Sequence, residues 1–280
     1  MKGRNTVIIH LTIHKWSGVK IDRRATTSVN NEFEAKKSGN FFKSLVSKEM
    51  IDAINKKASE IRQAHYKHSL PFMDNGARVV PVSAYFKYLD VINELVREFD
   101  GLADHLCDKY DEILKDSEVR LGKLFRESEY PSKEIMRKKF AIELSKLPFP
   151  ETDDLRMELE EGDMAAMKAD FKDQMEHTVG KAENSLWDRL DKAIVAYIAA
   201  TEPAKTFKGN TIRKMGPLSE LVPTLNFTDM EGVDDVCNEI KRDLTKHSPD
   251  TIRGDSDIRA DLNKKAKNIR DSITRKRYGI

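Results

Sequence analysis

Two histidines four residues apart, His10 and His14 in the stretch VIIHLTIHKWSG, have the spacing of a helical zinc pair. Their neighbours argue for a different geometry. Val7, Ile9, Leu11 and Ile13 alternate with Ile8, His10, Thr12 and His14, the period-two pattern of a half-buried strand. Residues four apart on a strand share a face but stand roughly 13 Å from each other, at about 3.3 Å per residue. One ion held about 2.1 Å from each nitrogen cannot span that gap, so the pair does not chelate by itself. His65 and His68 suit a metal better, because three residues apart on a helix they are neighbours. They lack local company, and a partial positive charge at the end of a helix is explained by its dipole.

Acidic groups offer a second chemistry. Asp229, Glu231, Asp234 and Asp235 in FTDMEGVDD, together with ETDD at 151–154, are residue types that hold magnesium for a metal-dependent hydrolase. Both runs precede predicted helices, where Asp and Glu cap free N–H groups, and capping is the reading their position favours. Cys107 beside Leu106, and Trp187 in SLWDRL, fall at helical spacing and read as packed side chains rather than as a nucleophile and a base-stacking ring. The sequence holds no Walker phosphate loop, dinucleotide glycine fingerprint, H-E-x-x-H helix, nucleophile elbow or paired C-x-x-C. On these grounds no catalytic residue, metal ligand or cofactor is assigned.

Binding to a polyanion has one candidate. The closing stretch KKAKNIRDSITRKRYGI carries Lys264, Lys265, Lys267, Arg270, Arg275, Lys276 and Arg277 against Asp271 alone. Clustered cations of this kind neutralise phosphates without reading bases, so DNA contact there would be directed to the backbone. The whole chain gives no such signal, with 49 Lys and Arg against 47 Asp and Glu.

The elements that must position these groups follow from composition and period. Charged residues make up 34% of the 280 and hydrophobic ones 39%, a balance suited to long exposed helices. After the first strand, WSG predicts a turn into VKIDRR as the second arm of an amino-terminal hairpin, followed by a polar connection and FFKSLVS as a short strand. SKEMIDAINKKASEIRQAHYKH predicts a helix capped by Ser47, and Asn75-Gly76 marks a second hairpin. From Ser83 to about Arg126, Leu89, Ile92, Val96, Phe99, Ala103, Leu106, Tyr110 and Ile113 recur at spacings of three and four, the stripe of a coiled coil. Leu89, Ile92, Val96, Phe99, Leu106 and Tyr110 are its candidate partner seam. FAIELSKLPFP reads as a strand, and a second long helix runs from about Asp163 to Thr201 with Met175, Ala182, Leu186, Leu190 and Tyr197 on one stripe. GNTIRKMGP reads as a linker or arm, with VDDVCNEIKRDL and the segment of Ile258, Leu262, Ile269 and Ile273 as two shorter helices.

The predicted fold is mainly α with a small α+β amino-terminal region. It comprises 1–81 with two hairpins, 82–202 as a long antiparallel helical hairpin resembling a coiled-coil stalk, and 203–280 as an arm and a helical end. Cys107 and Cys237 are too few for a disulfide framework, and no stretch approaches the roughly 20 apolar residues of a membrane span. The expectation is a soluble protein of a reducing cytoplasm without membrane contact.

The strand followed by WSG, the YP after a long helix, LWDRL, and LVPTLNFTD before a final helical region occur here in an order that resembles an uncharacterised family from phages and plasmids. Members of that family lie near MoxR-type AAA ATPases and von Willebrand A-domain proteins. The resemblance spans most of the chain and implies a mobile-element origin, the host cytoplasm as its place and an ATPase-linked partner; it supplies no active site. The functional expectation is a non-catalytic phage protein that self-assembles or binds partner proteins through its long helices. The alternative is a DNA-associated accessory factor in recombination, replication or packaging that uses the basic end.

Overall fold

The computed structural model describes residues 5–36, 38–73, 75–150, 161–202 and 207–279. The chain is mainly helical with a small antiparallel sheet near its amino terminus. The opening alternation forms β1 (Thr6–His14), which pairs antiparallel with β5 (Arg78–Pro81) in the register Thr6↔Pro81 to Ile9↔Arg78. β4 (Leu70–Pro71) and β6 (Ala141–Pro148) complete the order β4-β5-β1-β6. Ile8 and Ile9 are adjacent yet both buried, as are Val79 and Val80, so both faces of the sheet are covered where these strands pair.

The turn at WSG does not make a hairpin with β1. Instead β2 (Val19–Ile21) pairs antiparallel with β3 (Phe42–Ser44) as a separate two-stranded ribbon. At the turn, Gly18 has φ +62°, and a Cβ there would come within 2.9 Å of Val46 Cγ2, so the close approach needs glycine. The stretch between the two strands, expected as a connection, is the helix α1 (Arg23–Glu32). α2 (Lys48–Lys67) follows as predicted. The long helix expected from Ser83 is broken at Lys109 into α3 (Val82–Asp108) and α4 (Tyr110–Leu121), and α4 ends at Gly122, where φ is +49°. α5 (Lys133–Lys138) leads into β6.

α6 (Glu161–Thr201) is the second long helix. GNTIRKMGP is not an arm: it folds as α7 (Gly209–Arg213) and the start of α8 (Met215–Leu225), because Ile212, Met215, Leu221, Val222 and Leu225 form an apolar set that is buried. α9 (Val233–Leu244), α10 (Pro249–Gly254) and α11 (Ser256–Tyr278) close the chain. Among the described residues, no helix is long and apolar enough to cross a membrane.

The chain divides into two compact units that do not follow sequence order. The first comprises Met1–His10, Tyr66–Tyr88 and Ser145–Ile280, the second Leu11–His65 and Leu89–Leu144. In the first, α6 finds its long partner in α11, and α8 packs on α9. Leu186, Leu190, Ile194 and Tyr197 of α6 and Leu262, Ala266, Ile269 and Ile273 of α11 are buried at helical spacing. Asn263 Nδ2 donates to the Ile198 carbonyl at 2.8 Å and fixes their register. In the second unit, Ile54, Ala58 and Ile61 of α2 share one core with Phe99, Ala103 and Leu106 of α3, Tyr110 and Ile113 of α4, and Met136 and Phe140.

Candidate nucleic-acid interface

The basic end is largely occupied inside the first unit. Arg277 Nη1 lies 2.8 Å from Asp188 Oδ1 and its Nη2 donates to Asn184 Oδ1 at 3.2 Å. Arg270 Nε lies 3.3 Å from Asp191 Oδ1, Lys276 Nζ 2.6 Å from Asp235 Oδ2, and Lys265 Nζ 2.6 Å from Asp261 Oδ2. Arg270 and Arg277 are seven residues apart, two helical turns, so one face of α11 presents both to the acidic side of α6. Lys264, Lys267 and Arg275 are exposed and form no ion pair among the described residues. The sequence shows the cations together but not the carboxylates that meet them.

The seam is likewise closed within the chain. Ile92, Phe99, Leu106 and Tyr110 are buried, and Leu89 and Val96 are half-buried. The Phe99 and Phe140 rings meet edge-on at 6.4 Å, and the Tyr110 hydroxyl donates to the Pro131 carbonyl at 2.7 Å. Burial pushes that phenol up to about 12.

The remaining sequence candidates stay apart from one another. His10 Nε2 lies 3.3 Å from the Asn75 carbonyl, and His14 Nε2 3.4 Å from Glu143 Oε1. His65 is buried, and burial holds the half-buried His68 imidazole below its ordinary value. Asp234 and Asp235 stand in the first turn of α9, while Asp229 and Glu231 are exposed before it. ETDD at 151–154 lies outside the described residues. Cys107 and Trp187 are packed, and burial raises the Cys107 thiol. Among the described residues, no three His, Cys, Asp or Glu side chains come together as a metal group.

An open surface stands on the second unit, where the sequence reading placed no site. Alternation puts Lys20 and Lys43, which pair across the ribbon, on one face, and Val19, Ile21 and Phe42 on the other. Lys43 turns inward. Its Nζ lies 2.8 Å from Asp22 Oδ2 and 2.7 Å from Glu129 Oε2, and donates to the Leu124 carbonyl at 2.6 Å. Asp22 Oδ1 accepts from the Ala25 N–H at 3.0 Å, so one carboxylate both caps α1 and anchors the ribbon. That backbone bond, followed by the bond from Lys43, draws the Asp22 carboxyl down to about 2. Burial opposes charge on Lys43, but its bonds to Asp22 and Glu129 prevail and leave the ammonium raised.

With the lysine turned in, the apolar side of the ribbon faces water. Phe42 is 61% exposed and Phe33, which ends α1, 72%; Val19, Ile21, Val29 and Phe41 are exposed as well. The Phe41 N–H donates to Thr26 Oγ1 at 2.9 Å and the Asp22 N–H to the Phe41 carbonyl at 3.0 Å, which seats this strand against α1. Phe33 follows Thr26 by seven residues, about 10 Å along the same face of the helix. Arg23 and Arg24 open α1, whose first turn holds no acidic residue, and Arg126 is close enough to help lower Asp22. None of the three arginines forms an ion pair among the described residues. Cations oppose the dipole at this end of a helix, and the group that complements it is an anion.

No family model, curated protein or solved structure matches this chain. The surface is therefore read from its own geometry. Two signals in the sequence point to it: Asp22 three residues before Ala25, as an N-cap, and the adjacent pair Phe41-Phe42 entering a strand. RRATTSVNNE hides the helix because Thr, Ser, Val and Asn are poor helix formers.

Proposed function

We propose that the protein acts by binding, as a nucleic-acid accessory factor of a mobile element, and that it takes single strands on the ribbon β2–β3 and the adjoining helix α1. The observation that carries this reading is the pair of open phenylalanines, Phe33 and Phe42, beside Arg23 and Arg24, which open α1, and Arg126, near Asp22; none of the three arginines forms an ion pair among the described residues. Base–aromatic stacking contributes about 1–3 kcal/mol per base and tolerates any sequence, while the cations neutralise phosphates. Rings exposed to this degree suit stacked bases better than the packed pocket of a protein hot spot. The mobile-element setting rests on the ordered motifs that resemble the phage and plasmid family.

One observation favours a second reading. Val19 and Ile21 add aliphatic area to the same face, and among the described residues the ribbon has two strands, so a partner protein could add a third by main-chain pairing. Such a partner, ATPase-linked or a second copy, would meet the same arginines, and a second copy would bring like charge against like.

Fluorescence anisotropy with labelled single- and double-stranded oligonucleotides over a salt series separates the readings. Single strands bind in preference to duplex, with log K falling against log salt at a slope of about −2 for three phosphate contacts. Absence of binding at low salt, accompanied by concentration-dependent association in sedimentation, would transfer the surface to the protein-partner reading.

A further inference from the structure

In the first unit, two arginines from distant parts of the chain meet at the last carbonyls of α2. Arg189, in the middle of α6, donates from Nη1 to the Lys67 carbonyl at 2.8 Å and from Nη2 to the carbonyls of Tyr66 at 2.9 Å and Ser69 at 2.5 Å. Arg78, the first residue of β5, donates from Nε to Ser69 Oγ at 2.6 Å and from Nη2 to the Ser69 carbonyl at 2.9 Å, and its guanidinium lies 4.8 Å from the centre of the Tyr66 ring. Both groups share the Ser69 carbonyl, so their charged planes adjoin.

Among the described residues, the charges there do not balance. A helix carboxyl end carries about half a negative charge. Against it stand the guanidinium groups of Arg78 and Arg189; the His68 imidazole beside them is lowered by burial first and then by Lys67, Lys87 and the same Arg189. Among the described residues, no carboxylate pairs with Arg78 or Arg189. Burial, and then the neighbouring Arg78, holds the Arg189 guanidinium down at about 10. Adjoining like charges that are partly removed from water are costly unless a counter-charge joins them. Arg78 Nη1 and Arg189 Nε have no acceptor among the described residues, which leaves donors available on both planes.

We propose that Arg78 and Arg189 form a site for a phosphate group, carried either by free phosphate or by a nucleotide. A phosphate dianion matches the excess charge, and its oxygens suit guanidinium forks. The site is independent of the ribbon, since it shares no residue with it and lies in the other unit.

The test is isothermal titration calorimetry on the full chain at constant ionic strength, with inorganic phosphate, adenosine monophosphate and adenosine as probes. Saturable one-to-one binding of phosphate is expected, weakened about tenfold or more in Arg78→Gln. Equal affinity for phosphate and the monophosphate assigns the site to free phosphate, and tighter binding of the monophosphate assigns it to a nucleotide. Arg78 also caps α2, so Arg78→Lys, which keeps the charge and loses the fork, provides the second variant; it should fold as the parent does and bind more weakly. Phosphate should raise the unfolding temperature of the parent more than that of Arg78→Lys. Heats equal to dilution, binding of adenosine equal to that of its monophosphate, or unchanged phosphate affinity in Arg78→Lys and Arg78→Gln would overturn the proposal.

Discussion

Lys43 Nζ and Asp22 Oδ2 lie 2.8 Å apart with their side chains 1% and 2% exposed, and this pair determines which side of the ribbon meets water. Because Lys43 pairs across from Lys20, drawing it inward turns Val19, Ile21 and Phe42 outward. The same carboxylate caps α1, so the orientation of the ribbon and the start of the helix depend on one residue. A buried ion network thus produces an exposed apolar surface.

Replacing the cation tests that arrangement. Lys43→Met leaves Asp22 and Glu129 without their buried counter-charge and should destabilise the chain by about 3–5 kcal/mol, read from denaturant midpoints. A change below about 1 kcal/mol would mean that the ribbon is held by other contacts.

The same network sets a dependence on acid. The folded Asp22 value of about 2 is lower than the roughly 3.9 of an unfolded aspartate, so its contribution is fully present above about pH 4 and is lost as pH falls toward 2. Urea midpoints measured from pH 5 to pH 2 should fall across this window, and fall less steeply in Lys43→Met.

The buried seam residues should contribute to stability. Phe99→Ala should cost about 3–5 kcal/mol, with an unfolding midpoint independent of protein concentration. A midpoint that rises with concentration would place a second chain on α3.

How legible this was depends on where each partner lies. The strand at Val7–His14, the helices α2, α6, α9 and α11, and the stripe through Phe99 and Leu106 follow from local period, and each appears in the structure. Local period reports that a side chain is buried, not what covers it: Phe99 meets Phe140, and Arg277 meets Asp188. The expected amino-terminal hairpin fails for the same reason, because β3, the partner of β2, comes after α1. GNTIRKMGP reads as an arm by its Gly, Lys and Pro content, yet Ile212 and Met215 anchor it. The site on the ribbon was the least legible part, since an exposed Phe42 and a buried Lys43 invert the usual pattern and only the Asp22 and Glu129 carboxylates explain it.

Ion pairs of the last helix should matter little to stability when they are exposed. Arg270→Gln, which loses Asp191 at a partly exposed site, should change the unfolding free energy by about 0–1 kcal/mol in chemical denaturation. A larger loss would make the α6–α11 contact electrostatic rather than apolar.

The most direct measurement compares single-strand affinity by anisotropy in three chains: the parent, Phe33→Ser with Phe42→Ser, and Lys264→Gln with Lys267→Gln and Arg275→Gln. The two serines, at positions that are 72% and 61% exposed, should leave the unfolding midpoint unchanged and weaken binding by about tenfold or more, while the three glutamines at the carboxyl end should change it little. Undiminished binding in the serine chain, with loss in the glutamine chain, would contradict the ribbon site and return the nucleic-acid contact to the basic end.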